Sequence, residues 1–176
     1  MLFRSINTHF QNNVGGGGGG TFVTLMDNSP LIIAGGGGGA SGSTDGDHGQ
    51  ASQEGTRNGG KAGSGGRWNP AFVLSGTGAG VWEDGDGPEG KVQSFQHVQL
   101  GGYVADNRSP TGGFGGGGYA IVSPGGGGGY SGGGVDAVSV DNATAGGGGS
   151  INNGTSQINE SGVNDGDGRL IITLID

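Results

Sequence analysis

The stretch GGGGGGTFVTLMDNSPLIIAGGGGG, residues 15–39, places a β-prone hairpin between two runs of glycine. Residues 21–26 are rich in β-branched and aromatic side chains, and residues 31–34 are wholly apolar. We therefore predict two strands, the second of which is buried on both faces. The Asp, Asn, Ser and Pro between them favour a turn. A flexible linker does not usually contain a hairpin flanked by glycine runs on both sides, so we predict that both runs are ordered.

Glycine supplies 50 of the 176 residues and recurs in further runs within residues 112–149. It loses more conformational entropy on folding than other residues and has no side chain to bury, so a run of it is ordered only if backbones pack together. Polyglycine can form an extended left-handed helix of three residues per turn. Neighbouring helices can then bond laterally in every direction, which predicts a polyglycine-II helix bundle. The predicted scaffold residues are Gly15, Gly16, Gly17, Gly18, Gly19, Gly20, Gly35, Gly36, Gly37, Gly38 and Gly39.

The polar segment of residues 40–67 has no hydrophobic period and predicts a loop outside the bundle. A side chain inside the bundle would break several backbone hydrogen bonds. We therefore expect Gly37→Val to destabilise the protein far more than Gly46→Val.

The remaining apolar segments predict strands. Residues 135–140 alternate, and residues 169–175, RLIITLI, form the strongest strand pattern of the chain. Residues 91–100 fit either a strand or a short helix. No long segment has helical periodicity with caps, so we predict an all-β protein with little or no α-helix.

By length the chain fits one domain. We expect residues 1–13 to be a non-native or linker leader, because residues 2–5 look like a translated adapter sequence, and the chain to be part of a longer protein. Residues 14–176 are then a single glycine-rich domain. Its parts are the hairpin of residues 21–34, the further glycine runs within 112–149 and the closing strand of residues 169–175.

Composition excludes several classes of function. The net charge is −8, from 15 acidic and 7 basic residues, so no basic patch exists for nucleic acid. Cysteine is absent, and no stretch approaches the roughly 20 apolar residues of a membrane span. Leu, Ile, Val and Phe make up just under a fifth of the chain, which leaves a disordered glycine-rich linker as an alternative.

The motifs for catalysis and metal binding are incomplete. Asp45 with Asp47, and Asp84 with Asp86, are spaced like pieces of a calcium loop but lack its further ligands and its final glutamate, so we interpret both as solvated turns. The three histidines lack metal-ligand spacing, and no nucleophile elbow or phosphate loop occurs. We therefore predict no enzyme activity, no metal and no cofactor.

The glycine runs with their flanks resemble a known family. Residues 15–23 and 30–39, then 112–118 and 125–134, and finally 166–172 resemble, in the same order, the glycine-rich region of the anaplastic lymphoma kinase and leukocyte tyrosine kinase receptor ectodomains. The run PLIIAG at residues 30–35 is the specific part. The similarity covers residues 14–176 and includes neither a kinase nor a membrane span.

This resemblance implies that glycine helices are inserted into part of a jelly-roll sandwich similar to tumour necrosis factor, whose first strands would lie upstream. It also implies an extracellular or cell-surface location and a protein ligand or cell-surface receptor as partner. The animal receptors carry cysteines in this region, whereas this chain has none. The alternatives are a phage tail-fibre tip adhesin built on polyglycine helices and a structural or ice-binding glycine bundle.

Three residues form the predicted binding surface, because they lie in an acidic turn beside an aromatic side chain: Trp82, Asp84 and Asp86. We expect Trp68 and Trp82 to act as lids on the rim of the bundle. Sequons that could carry N-linked glycans begin at Asn142, Asn153 and Asn159.

Overall fold

The structure is a computed structural model that describes residues 13–68, 74–97, 100–104, 109–137 and 142–174. These residues contain no α-helix. Their strands form two small antiparallel sheets, which confirms the predicted mostly-β class. The strands are β1 (Thr21–Thr24), β2 (Pro30–Ala34), β3 (Val135–Ala137), β4 (Ala143–Ala145) and β5 (Ile151–Asn152). No helix in this part of the chain is long and apolar enough to span a membrane.

The predicted hairpin is confirmed, since β1 and β2 pair antiparallel with Phe22 opposite Ile33. β5 pairs with the other edge of β2 and gives the sheet order β1-β2-β5. The expectation that the second strand is buried on both faces is wrong. Ile33 is buried, but Leu31 and Ile32 are 37% and 44% exposed. Ile32 lies on the opposite face of the sheet from Ile33 and meets solvent, whereas Leu31 shares the face of Ile33 but lies beside the exposed turn.

The second sheet, β3 with β4, carries a small apolar cluster. Val135, Ala137, Ala143 and Ala145 are buried together, and the half-buried Trp68 packs against them. The predicted strand at residues 135–140 is confirmed for its first three residues, and the rest of it lies outside the described residues. A second small cluster joins Ala79, Val92 and Tyr119, so the buried apolar side chains are divided between two small groups.

Glycine backbones fill the centre. In residues 125–130 six successive amides donate hydrogen bonds of 2.8–3.3 Å to three different neighbouring segments in rotation, so that every third amide bonds to the same segment. The accepting carbonyls, in order from residue 125, belong to Gly15, Gly76, Gly146, Gly18, Ala79 and Gly149. Residues 125–129 are all buried.

The same spacing recurs between the first two glycine runs. Gly15 donates to Ala40 and Gly18 donates to Gly37, both at 2.8 Å, so contacts repeat every three residues along antiparallel segments. The prediction that the glycine runs are ordered and bond to one another therefore agrees with the backbone contacts of the described residues.

The expected contrast between Gly37 and Gly46 is reversed. An added Cβ at Gly37 would meet only the Asp47 carbonyl oxygen, at an ordinary 3.5 Å, whereas one at Gly46 would collide with the Gly38 carbonyl. The reason is that the polar segment is not an outer loop. It packs along the glycine runs, with the Gly38 amide donating to Asp47 at 2.9 Å and the Thr56 amide donating to Gly147 at 3.0 Å.

Two further strand predictions need correction. Residues 169–174 of the predicted closing strand belong to no strand, and their side chains are exposed. A strand needs a hydrogen-bonded partner, and in the described part of the chain none lies alongside this segment. Within residues 91–100, the described residues form neither a regular strand nor a helix, and Val92 makes only an isolated bridge to Gly85.

Candidate functional site at the hairpin end

One end of the glycine segments holds two of the side chains predicted to be functional, Trp82 and Asp84. Gly20 donates to Gly115, and Tyr130 donates to Gly149, so the ends of four glycine segments lie together where β1, β2 and β5 begin or end. We call this end, with residues 20–35, 80–84, 94–97, 114–115 and 130, the hairpin end.

Two phenylalanines cover the glycine backbones there. The rings of Phe22 and Phe95 stack with centroids 4.7 Å apart. The Phe22 ring lies so close to Gly20 and Gly115 that a Cβ at either position would approach its edge at 3.0–3.1 Å. The Phe95 amide donates to the Gly80 carbonyl at 3.2 Å. Glycine at these positions therefore lets an aromatic pair rest directly on the backbone.

The Trp82 side chain packs directly on the backbone of Gly63, where a side chain could not fit. Its amide donates to the Gly63 carbonyl at 3.0 Å. Its indole fills the space where a Gly63 side chain would be, and Gly63 has a φ of +87°. The indole remains 39% exposed. Trp82 thus covers Gly63, in the manner expected of a lid, and still presents apolar surface to solvent.

Asp84 is occupied by internal contacts. One carboxylate oxygen accepts from the Ser94 amide at 2.9 Å and lies 2.8 Å from Nδ1 of His97. Burial would raise the pKa of Asp84, but the hydrogen bonds from Ser94 and His97 outweigh it and hold that pKa below its ordinary value. Asp84 therefore fixes the turn of residues 94–97.

The grouping of Ser94, His97 and Asp84 is not a catalytic triad. The Ser94 hydroxyl, at 3.2 Å, and the Asp84 carboxylate both face Nδ1 of His97. A relay requires the serine and the carboxylate on opposite ring nitrogens. Ser94 is also fully buried. No group of described residues has the His, Cys, Asp or Glu cluster that a metal ion needs.

Asp86 is paired with a surface arginine. Arg67 lies 3.5 Å from the Asp86 carboxylate and 3.3 Å from that of Glu83. Such exposed pairs contribute little to stability, but they neutralise part of the acidic turn. The structure thus brings Trp82, Asp84 and Asp86 into one region, and only Trp82 among them offers a large unpaired surface.

No family model, no curated protein and no solved structure matches this chain.

Sequence reasoning missed the most exposed apolar side chains of the hairpin end. Met26 is fully exposed, Phe114 is 68% exposed and Leu25 is 50% exposed. Leu25 and Met26 follow β1 directly, where Asn28 has a φ of 65° and closes the turn. Their position in the sequence could have predicted this exposure, because two large apolar side chains beside a tight turn have no room to fold back onto the sheet.

The three sequon asparagines are all exposed. Asn153 uses its side-chain amide to hold the Pro30 carbonyl at 2.9 Å, and Asn159 accepts from Asn152 at 2.9 Å. Exposure is the condition that a glycan needs, and glycan attachment stays a prediction.

A second polar cluster holds the segment of residues 40–67. Both Asp47 oxygens bond to Arg57, at 2.9 and 3.1 Å, and Thr56 donates to the same carboxylate at 2.5 Å. Burial would raise the pKa of Asp47, but these hydrogen bonds outweigh it and lower that pKa. The interpretation of Asp47 as part of a solvated turn is therefore wrong, because the carboxylate is a structural clamp.

Proposed function

We propose that this chain is a non-enzymatic, extracellular or cell-surface module that recognises a protein ligand or cell-surface receptor through its hairpin end. The observation that carries the proposal is the group of exposed large apolar side chains there, Leu25, Met26, Trp82 and Phe114, beside a buried backbone frame. Aromatic and methionine side chains on a rigid frame are typical of protein-binding surfaces.

The frame in this proposal is a polyglycine-II helix bundle. The support is the period of the hydrogen bonds, since Gly125 and Gly128 donate to one neighbour and Gly126 and Gly129 donate to another. A helix of three residues per turn directs every third amide the same way. Unpaired groups would be costly in a buried backbone, and this arrangement gives each segment several partners.

The resemblance to the glycine-rich receptor region supports the wider setting. We infer that the glycine helices are inserted into part of a jelly-roll sandwich within a receptor-like ectodomain. The β1–β2 hairpin, flanked by glycine runs on both sides, is the feature of the resembling segments that lies at the proposed surface.

The test of this function combines capture and affinity. The chain is used to capture a partner from extracellular material of its source, and the affinity of that purified partner is measured by surface plasmon resonance. We expect the double variant Trp82→Ala with Phe114→Ala to bind at least about tenfold more weakly, the loss of one or two anchoring side chains.

The matched control is Ile158→Ala, which changes an apolar residue that is 85% exposed and lies outside the hairpin end. Equal affinity of the double variant and the wild type would remove the hairpin end from the proposal. Equal weakening by Ile158→Ala would show adhesion to any apolar surface, which also contradicts it.

A phage tail-fibre adhesin is the second candidate. The observation that favours it is the absence of cysteine, since the resembling animal receptors carry cysteines in this region. An adhesin would bind intact bacterial cells through the same end, and loss of that binding in the double variant would favour this candidate over a receptor module.

A further inference from the structure

The segment of residues 169–174, RLIITL, has the composition of a strand but no strand partner in the described structure. Its four large apolar side chains are 50–88% exposed: Leu170, Ile171, Ile172 and Leu174. β-branched and leucine side chains in a row of this length ordinarily lie in a sheet. A segment of this kind left in solvent is a candidate to add to an open sheet edge.

β1 offers such an edge. The Leu31 carbonyl accepts from the Asn153 amide at 2.9 Å, so Leu31 and Ile33 direct their backbone groups toward β5. Because backbone groups alternate along a strand, Ile32 and Ala34 direct theirs toward β1. The backbone groups of Phe22 then point away from β2. No strand of the described residues pairs with that side of β1.

Within one chain, residues 169–174 and β1 are placed so that they could pair only as parallel strands. Gly168 lies against the Thr21 hydroxyl, so the segment starts beside the start of β1. A space of about 1840 Å³, bordered by Arg169, Ile171 and Phe22, separates the segment from the glycine runs. Pairing from this position would be parallel, whereas all strand pairs between the named strands are antiparallel.

We propose that residues 169–174 of one chain form an antiparallel strand along the free edge of β1 in a second copy of this chain, and that the second copy does the same in return. Antiparallel addition is the more stable pairing. It also directs Arg169 toward Asp27, the acidic residue of the β1–β2 turn. A two-fold pair satisfies both edges at once, and because side chains alternate between the two faces of a strand, Leu170, Ile172 and Leu174 of each copy share the face that can be covered.

The first test is the solution mass of the full chain, measured by size-exclusion chromatography with light scattering over a concentration series. We expect twice the 17.0 kDa of one chain. Ile172→Lys should shift the protein to the monomer and weaken association at least roughly a hundredfold, because a lysine would be desolvated in the new strand pair. Ile158→Lys, an equally exposed change outside the segment, should leave the dimer intact.

A wild type that is monomeric at all concentrations would overturn the proposal. So would equal effects of Ile172→Lys and Ile158→Lys, which indicate non-specific association. Neither result touches ligand recognition, since Trp82 and Phe114 are unchanged in both variants and partner affinity is measured separately.

The second test addresses direction. Arg169→Asp and Asp27→Arg should each weaken association about three- to tenfold, as an exposed ion pair allows, and the chain carrying both substitutions should regain it. Circular dichroism checks that each variant keeps the wild-type fold. Failure of the double variant to regain association would overturn the antiparallel register.

Discussion

Residues 125–130 and residues 153–174 are opposites in burial and in composition. The first segment has a single large side chain, that of Tyr130, and residues 125–129 are all buried. The second has six large apolar side chains, and all of them are exposed: Ile158, Val163, Leu170, Ile171, Ile172 and Leu174. In this molecule burial follows backbone hydrogen bonding more than side-chain hydrophobicity. Removing a Cβ, which elsewhere costs stability, here permits the close contact that orders the chain.

The sharpest way to break this comparison is a side chain in the glycine interior. A Cβ at Gly126 would collide with the Gly133 carbonyl and approach the Gly78 amide at 2.7 Å. We expect Gly126→Val to lower the free energy of unfolding by more than about 3 kcal/mol, since several buried hydrogen bonds at about 1–3 kcal/mol each are disrupted. Urea unfolding followed by circular dichroism measures this. Gly166→Val, at a position open to solvent, is the control and should cost little.

The second prediction separates interior from exterior glycines near one glycine run. Gly46→Val should destabilise the protein by about 2 kcal/mol more than Gly37→Val, because a Cβ at Gly46 would collide with the Gly38 carbonyl, whereas one at Gly37 would meet the Asp47 carbonyl oxygen at an ordinary 3.5 Å. Melting temperatures of the two variants give the comparison. A more severe loss at Gly37 would mean that the polar segment of residues 40–67 does not pack along the glycine runs.

The third prediction concerns the clamp at Asp47. A carboxyl group whose pKa is lowered by folding adds stability that is present above its unfolded pKa, about 4, and is lost as the pH falls through the folded value. We expect Asp47→Asn to cost about 1 kcal/mol at pH 7, and the difference from wild type to shrink as the pH falls below about 4. Asp45→Asn, at an exposed neighbour, is the control. A difference that stays constant with pH would exclude an ionic clamp.

The smallest effect is expected in the exposed segment. Ile158→Ser should change the free energy of unfolding by no more than about 0.5 kcal/mol, the range of surface substitutions, because Ile158 is 85% exposed. Urea unfolding of the wild type and of Ile158→Ser under the same conditions measures the difference in free energy of unfolding. A loss above about 1 kcal/mol would show that this residue is buried in solution, in contrast to the described structure.

The hairpin could be predicted from sequence because its strands and turn are adjacent, and local residue preferences determine them. The contact between glycine runs was also predictable, since an isolated run has no other source of order. The sequence did not indicate which glycines face inward. Gly37 and Gly46 have similar local sequences, and what distinguishes them is the backbone that packs against each one in the fold. At the candidate site, Trp82 could be chosen from its type and setting. The internal roles of Asp84 and Asp86 depend on His97 and Arg67, whose proximity no local pattern indicates.

The rotation of amides in residues 125–130 also limits how such a chain can change in length. Losing one glycine from the run would turn every later amide toward the wrong neighbour, so that a single deletion mismatches a whole segment. Losing three would shorten the run by one complete repeat and leave each remaining amide directed at its former partner segment. Natural length variants of these runs should therefore differ in steps of three residues.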